Sequence, residues 1–138
     1  MALYMPPLFT WPVRVYYEDT DAGGIVYYAN YLKFFERART EWLRAAGVSQ
    51  QVMVEQHGAG FVVRSAQIDY HASARLDDDI TLTLDITTFG RASVVFSQQA
   101  LRGDVLLASA TVKVACVDLT TLRPRALPDD AAAKMRAT

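Results

Sequence analysis

A long amphipathic segment of the chain reads NYLKFFERARTEWLRAAG, residues 30–47. Apolar residues recur at helical spacing along one face of this segment: Leu32, Phe35, Ala38, Trp42 and Ala46. Phe34 and Leu43 widen the apolar stripe, so we expect the helix to be buried on more than one side. Asn30 can serve as the N-cap and Gly47 as the residue that ends the helix, which predicts a helix to about Ala46.

The remainder of the chain shows mostly strand patterns. Ile80, Leu82, Leu84 and Ile86 alternate with polar residues, as in a half-buried strand. The other predicted strands cover residues 13–17, 61–70, 93–101 and 105–117, and a shorter helix is predicted over 49–57. Because the last three strands are joined by short turns, they must be antiparallel neighbours. The predicted class is therefore α+β, with an antiparallel sheet wrapped around the long helix.

Length and composition predict one folded domain. The chain has 138 residues, of which 51% are hydrophobic and 21% charged, as in a globular protein. Two domains of half this length would each have too little interior, so we expect a single domain over residues 1–138. Prolines predict irregular structure near both ends. Residues 1–12 should form an arm, and Pro124 and Pro128 should end the regular elements.

Charge and cysteine content restrict the partners and the compartment. The chain carries 14 Lys and Arg and 15 Asp and Glu, a net charge of −1, so electrostatic binding to nucleic acid is not expected. The sequence contains no apolar run of about 18 residues, so we expect no membrane-spanning helix. It also shows no secretory signal pattern. The single cysteine, Cys116, can form no internal disulfide. That fits a reducing compartment, and we predict a cytoplasmic protein.

The densest polar cluster is EDTDAGG, residues 18–24, between the first predicted strand and the long helix. A calcium loop starting at Asp19 fails, because Gly23 falls at position 5 and Asn30 at position 12. A phosphate-binding loop fails too, because no Lys-Ser/Thr pair follows the glycines. Two interpretations remain. The segment is either a solvated turn that caps the helix, or a catalytic carboxylate beside free helix N–H groups that can polarise an acyl carbonyl.

A family resemblance is carried by residues 14–31, RVYYEDTDAGGIVYYANY, which closely resemble the active-site signature of the 4-hydroxybenzoyl-CoA thioesterase family. Residues 32–41, 74–78 and 123–128 (LKFFERARTE, ARLDD and RPRALP) are similar to its subgroup of acyl-CoA thioesterases associated with the Tol-Pal cell-envelope system. The resemblance covers nearly the whole chain. It implies a hotdog fold, and a homodimer or homotetramer with shared active sites.

The same resemblance implies roles for individual residues. It places the catalytic carboxylate, as nucleophile or general base, on Asp21, and the carbonyl-polarising backbone N–H on Tyr28 at the helix start. The implied substrate-binding residues of this stretch are Gly23, Gly24, Ile25 and Val26. Many members of the Tol-Pal subgroup carry His where this chain has Tyr28, whereas the hydroxybenzoyl enzymes can carry Tyr. The backbone role is unaffected, but an aromatic or an aliphatic acyl group remains an open choice.

Outside the signature, Arg91 is the main candidate for substrate binding. It follows Gly90 at the hairpin where the hydroxybenzoyl enzymes place two arginines for the phosphates of coenzyme A, and this chain has one. Arg91 is either a phosphate ligand or a solvated turn residue. His57 should end a helix, and His71 should lie near a strand end at a subunit edge. Cys116 alternates with valines and should be buried.

The activity implied is hydrolysis of an acyl-CoA thioester to the free acid and coenzyme A. No metal or redox cofactor is implied, because coenzyme A is part of the substrate. A hydratase acting on enoyl thioesters is a weaker alternative, since neither histidine lies in the acidic signature. The alternative from a different class is a non-catalytic or dual-role partner of acyl carrier protein in phospholipid and envelope metabolism.

Overall fold

The computed structural model describes residues 6–138, and the start of the predicted N-terminal arm lies outside this range. Within it the strands are β1 Phe9–Arg14, β2 Ala59–Tyr70, β3 Asp79–Phe89, β4 Ser93–Arg102 and β5 Val105–Asp118. The α-helices are α1 Tyr31–Ala46, α2 Gln50–His57 and α3 Asp129–Arg136. Two short 3-10 turns, Tyr17–Asp19 and Tyr28–Asn30, bracket residues 20–27, which we call the acidic loop. None of these helices has the length and apolar character needed to cross a membrane.

The strands form one antiparallel sheet in the order β1-β3-β4-β5-β2, so β1 and β2 are its edges. This confirms the predicted antiparallel neighbours β3, β4 and β5. Helix α1 lies against one face of the sheet. Trp42 packs edge-to-face on Phe96 of β4, with ring centroids 5.6 Å apart, and Gln98 of β4 donates a hydrogen bond to the carbonyl of Phe35. The predicted α+β class is confirmed.

One side of α1 forms the centre of the hydrophobic core. Its buried residues are Tyr31, Phe34, Phe35, Ala38, Trp42 and Leu43. The wide apolar stripe is therefore confirmed at Phe34 and Leu43, but Leu32, predicted on the same stripe, is 45% exposed. Leu32 lies beside Val63 and Ala66 of the edge strand β2, where the sheet stops and nothing in the described part of the chain covers it.

Capping residues set the C-terminal end of α1 and the N-terminal end of α2. Gly47 ends α1 in the left-handed conformation, with φ of 87°, and donates its N–H to carbonyls of the last turn. Ser49 caps α2, because its side chain accepts a hydrogen bond from the N–H of Val52. Both helices lie where the sequence predicts them.

The first strand and the last helix correct the sequence-based expectations. Strand β1 spans Phe9–Arg14 rather than 13–17, because Pro12 is tolerated on an edge strand, where a missing N–H leaves no ladder bond broken on the open side. After Pro128 the chain forms α3 instead of remaining irregular. Proline is well suited to the start of a helix, and the acidic first turn and basic last turn of α3 complement the helix dipole.

Candidate active site

The acidic loop holds Asp21 in a tight turn between β1 and α1. The N–H of Asp21 donates to the carbonyl of Ile25 at 2.9 Å, and its carboxylate accepts the N–H of Gly23 at 2.8 Å. Gly24 adopts a left-handed φ of 78°, and a Cβ added at Gly23 would lie 3.2 Å from the Asp21 carboxylate. The two predicted glycines therefore shape the turn and leave the carboxylate exposed to solvent.

The acidic loop is fixed against the segment that precedes β3. Val26 donates its N–H to the carbonyl of Ala74 at 2.9 Å, and Ile25 pairs with Arg75 in an isolated bridge. The carboxylate of Asp78 ties this segment together by accepting hydrogen bonds from the Arg75 backbone N–H and the Arg102 guanidinium. These bonds, first of all the one from the Arg75 backbone, lower the pKa of Asp78 below its ordinary value.

A buried carboxylate connects the acidic loop to the start of α1. Asp19 accepts hydrogen bonds from the N–H of Tyr16 at 2.8 Å and from the side-chain amide of Asn30 at 2.9 Å. Asn30 therefore makes no side-chain N-cap bond, and the predicted capping role is wrong. The physical reason is that a buried carboxylate without donors costs more than an unmade cap, so the amide of Asn30 satisfies Asp19.

The helix start places the backbone N–H of Tyr28 beside the acidic loop. The chain enters α1 through the 3-10 turn Tyr28–Asn30, and in residues 6–138 no acceptor is found for the backbone N–H of Tyr28. The carbonyl of Tyr28 accepts a hydrogen bond of 2.9 Å from the hydroxyl of Tyr70. Burial raises the pKa of Tyr70, which keeps this phenol in its donor form. An oxyanion placed at the Tyr28 N–H would also face the positive end of the helix dipole.

Asp21 and Tyr28 line one surface groove of about 320 Å³. Its lining residues are Asp21, Ile25, Val26, Tyr28, Tyr31, Tyr70, His71, Ala72 and Ser73. The groove brings together four of the residues that the resemblance marks, while Gly23 and Gly24 form the adjoining turn. In the described residues no cluster of three or more His, Cys, Asp or Glu side chains is arranged to hold a metal ion.

Tyr70 and His71 are among the groove residues to which the sequence analysis gave no role at this site. Tyr70 ends β2 and His71 follows it, so both come from a part of the chain remote from the signature. Only the pairing of β2 with β5 and the packing of Tyr70 on Tyr28, with ring centroids 6.0 Å apart, brings them to Asp21. A sequence pattern carries no signal for such a contact.

Arg91 lies apart from this groove within the same chain. It follows the far end of β3, whose start adjoins the segment that holds the acidic loop, and its side chain is exposed. A strand of this length spans roughly 35 Å. His57 and Cys116 lie where the sequence predicts them. His57 ends α2 with Nε2 3.7 Å from the carboxylate of Asp130, and Cys116 is buried, which raises the pKa of its thiol.

Comparison with known proteins finds thioesterases both among family models and among individual relatives. Residues 15–135 match the thioesterase-like superfamily. The acyl-CoA thioesterase YbgC of Haemophilus influenzae is 49% identical over 122 residues, 88% of this chain and 90% of that protein. The acyl-CoA thioester hydrolase YbgC of Escherichia coli O157:H7 is 49% identical over 130 residues, 94% of this chain and 96% of that protein.

Solved structures agree with these sequence relatives. A probable thioesterase from Bartonella henselae superposes with a TM-score of 0.82 at 34% identity, covering 86% of this chain and 98% of that one. A 1,4-dihydroxy-2-naphthoyl-CoA thioesterase from Synechocystis superposes with a TM-score of 0.85 at 25% identity, covering 93% and 95%. The chain therefore belongs to the thioesterase-like superfamily, and its antiparallel sheet around α1 is the hotdog fold that the sequence predicted.

Proposed function

We propose that this protein hydrolyses acyl-CoA thioesters to the free acid and coenzyme A, with Asp21 as the catalytic carboxylate. The observation that carries the proposal is the shared groove. Its lining includes the exposed Asp21 and, at the helix start, Tyr28, for whose backbone N–H no acceptor is found in residues 6–138. The two YbgC relatives are named as an acyl-CoA thioesterase and an acyl-CoA thioester hydrolase, which supports the same substrate class.

The reaction follows from these two groups. The Tyr28 N–H, aided by the helix dipole, polarises the thioester carbonyl and stabilises the oxyanion that forms on it. Asp21 either attacks the carbonyl carbon or removes a proton from the water that does so. When water attacks, its C–O bond forms as the C–S bond breaks, which releases the acid and coenzyme A. When Asp21 attacks, the C–S bond breaks to leave an acyl anhydride on Asp21, and water then cleaves that anhydride to release the acid and free Asp21. We propose that the chemistry draws on no metal or redox cofactor; coenzyme A enters as part of the substrate.

The direct test is release of coenzyme A from a panel of short-chain, long-chain and hydroxybenzoyl thioesters. We expect turnover of at least one class, and the preferred member identifies the acyl group that the groove accepts. No turnover of any member by folded protein would sink the proposal.

The exposed edge strand β2 supports assembly into a homodimer, or a homotetramer of such dimers. Its register with β5 places Phe61, Val63, Ala66, Ile68 and Tyr70 on the side facing α1. Val63 is 53% exposed and adjoins the exposed Leu32 of α1. A long, apolar edge strand pairs readily with another strand. We therefore propose that β2 pairs with β2 of a second copy and that this pairing covers Leu32.

Such a pairing would bring Arg91 of the partner subunit towards the groove. In an antiparallel pair the start of one β2 faces the end of the other. The end of β2 lines the groove that holds Asp21. Arg91 lies near the start, because Cys116 pairs with Phe61 and donates its N–H to the carbonyl of Ala92. The proposed dimer thus supplies an arginine for the phosphates of coenzyme A from across the interface.

Val63→Lys should convert the assembly to monomers. An unpaired ammonium at the β2 interface costs several kilocalories per mole, so the dissociation constant should rise by at least about 100-fold. The measurement is the mass in solution by light scattering across a dilution series. Val105→Lys is the matched control, because Val105 is exposed on the β4–β5 hairpin away from β2. If both variants keep the mass of the unmodified protein, β2 does not form the interface.

Arg91→Ala should weaken binding of acyl-CoA without changing the chemical step. Loss of one charge-assisted hydrogen bond should raise KM roughly 10- to 100-fold with kcat retained. The same acyl group on pantetheine, which lacks the nucleotide phosphates, should show no change. Arg44→Ala is the control, since Arg44 is exposed on α1 and pairs with Glu41. An equal KM rise for both substrates would leave Arg91 as a structural turn residue.

Two further proposals concern the cellular compartment and a protein partner. The buried free thiol of Cys116 supports a reducing compartment, and we propose the cytoplasm. Partnership with acyl carrier protein, in phospholipid or Tol-Pal envelope metabolism, is proposed as a role that can coexist with hydrolysis. A pull-down that recovers acyl carrier protein even with Asp21→Ala would support it.

A further inference from the structure

His71 stands in the same groove as Asp21, and its position is fixed by β5. The backbone N–H of His71 donates to the carbonyl of Leu107 at 2.8 Å. The ring nitrogen Nε2 lies 3.1 Å from the hydroxyl of Ser109. Ser109 lies on β5 directly opposite Asp69 of β2, so the backbone and the ring of His71 are both held by one strand. The imidazole is therefore an oriented group, as proton-transfer residues need to be.

We infer that His71 is the general acid that protonates the sulfur of coenzyme A as the thioester breaks. The inference rests on the proposed hydrolysis and names the group that serves its leaving side. In that reaction Asp21 acts on water or on the carbonyl carbon, and the Tyr28 N–H holds the carbonyl oxygen. Asp21 thus serves the water side of the carbonyl carbon and the Tyr28 N–H its oxygen, and the inference assigns protonation of the sulfur to a third residue of the groove.

The proton transfer is balanced by the water that the reaction consumes. As the C–S bond breaks, its electron pair stays on sulfur, which takes the proton from Nδ1 of the imidazolium. Nε2 keeps its hydrogen bond to Ser109 throughout. Water supplies the oxygen of the acid product and gives a proton to Asp21. Asp21 releases this proton to solvent and the imidazole takes one up from solvent, since His71 and Asp21 are both exposed. The products are the free acid and the thiol of coenzyme A.

Chemistry favours His71 over the other proton carriers that line the groove, which are Asp21, Tyr28, Tyr31 and Tyr70. Tyrosine ordinarily titrates near about 10, and burial raises the pKa of Tyr31 and Tyr70 further. The hydroxyl of Tyr70 is also committed to the Tyr28 carbonyl. Imidazole is the side chain whose ordinary pKa lies between about 5 and 8, where a general acid is most effective near neutral pH.

The test compares two thioester substrates that share one acyl group but differ in the thiol that leaves. His71→Gln should lower kcat/KM on the acyl-CoA by roughly 100-fold or more. The sulfur of the 4-nitrothiophenol thioester leaves without protonation. On this substrate His71→Gln should therefore lose no more kcat/KM than the control His57→Gln. Glutamine keeps a polar group for Ser109 but carries no transferable proton. Ser109→Ala should show a smaller loss with the same dependence on the leaving group.

Each alternative outcome has a separate meaning. A wild-type protein that turns over neither thioester overturns the proposed function and, with it, this inference. An active wild type, with His71→Gln losing equal activity on both thioesters, overturns the inference alone, because a merely structural role does not depend on the leaving group. An unchanged His71→Gln variant has the same consequence.

Discussion

Asp21→Asn should reduce the turnover of acyl-CoA by roughly 100- to 10,000-fold, the range expected when a general base or its equivalent is lost. The amide is nearly the same size as the carboxylate, and its oxygen can still accept the Gly23 N–H that closes the turn. Asp21 is exposed, so the variant should fold and unfold like the parent. The measurement is kcat/KM on the best member of the thioester panel, together with a thermal unfolding curve.

Asp104→Asn is the matched control for this substitution. Asp104 is an exposed aspartate in the hairpin turn between β4 and β5 and makes no contact with the groove. It removes the same charge, so any loss from a change in net charge would appear in both variants. Full activity in Asp21→Asn would remove Asp21 from the mechanism, whereas a loss shared with Asp104→Asn would point to a long-range electrostatic effect.

The parts of the fold that the sequence predicted are those with a strong period. Helix α1 repeats its apolar residues over four turns, and β3 alternates from Ile80 to Ile86, so in both cases one face must be buried. Strand β1 was misplaced because Pro12 normally argues against a strand, and that argument does not hold at a sheet edge. Helix α3 was missed because Pro128 was interpreted as a stop when proline also begins helices.

The residues of the candidate site likewise fall into those that a sequence motif can predict and those that only the folded sheet brings together. Asp21, Ile25, Val26 and Tyr28 lie in one continuous segment, so a motif can carry their relation directly. His71 reaches them only through the sheet, and any residue from a second copy would reach them only through the β2 edge. A single sequence encodes such contacts in the packing of distant elements, and no short pattern reports them.

Asn30 shows how a buried charge overrides a local preference. The sequence gives Asn30 every feature of an N-cap, since it precedes an apolar periodic segment. In the folded chain Asp19 is only 4% exposed and needs donors, and the side-chain amide of Asn30 is within reach at 2.9 Å. The local rule fails at the junction between the acidic loop and α1, where the site is built.

Truncation of the α1 core should have the largest effect on stability. Trp42 is 1% exposed and fills the space between α1 and β4. Trp42→Ala should therefore lower the free energy of unfolding by about 3–5 kcal/mol, the usual cost of removing a large buried aromatic side chain. The measurement is denaturant unfolding at a fixed protein concentration, because assembly makes the apparent stability depend on concentration.

Trp42→Phe separates two contributions of this side chain. The indole Nε1 is buried, and no hydrogen-bond partner for it is found within residues 6–138. A buried donor without a partner costs about 1–3 kcal/mol, so replacing the indole by a phenyl ring removes that penalty while keeping a ring against Phe96. The loss in Trp42→Phe should therefore be well under half of that in Trp42→Ala. Equal losses in the two variants would show that the indole N–H is satisfied, and that its hydrogen bond rather than its volume holds α1 on the sheet.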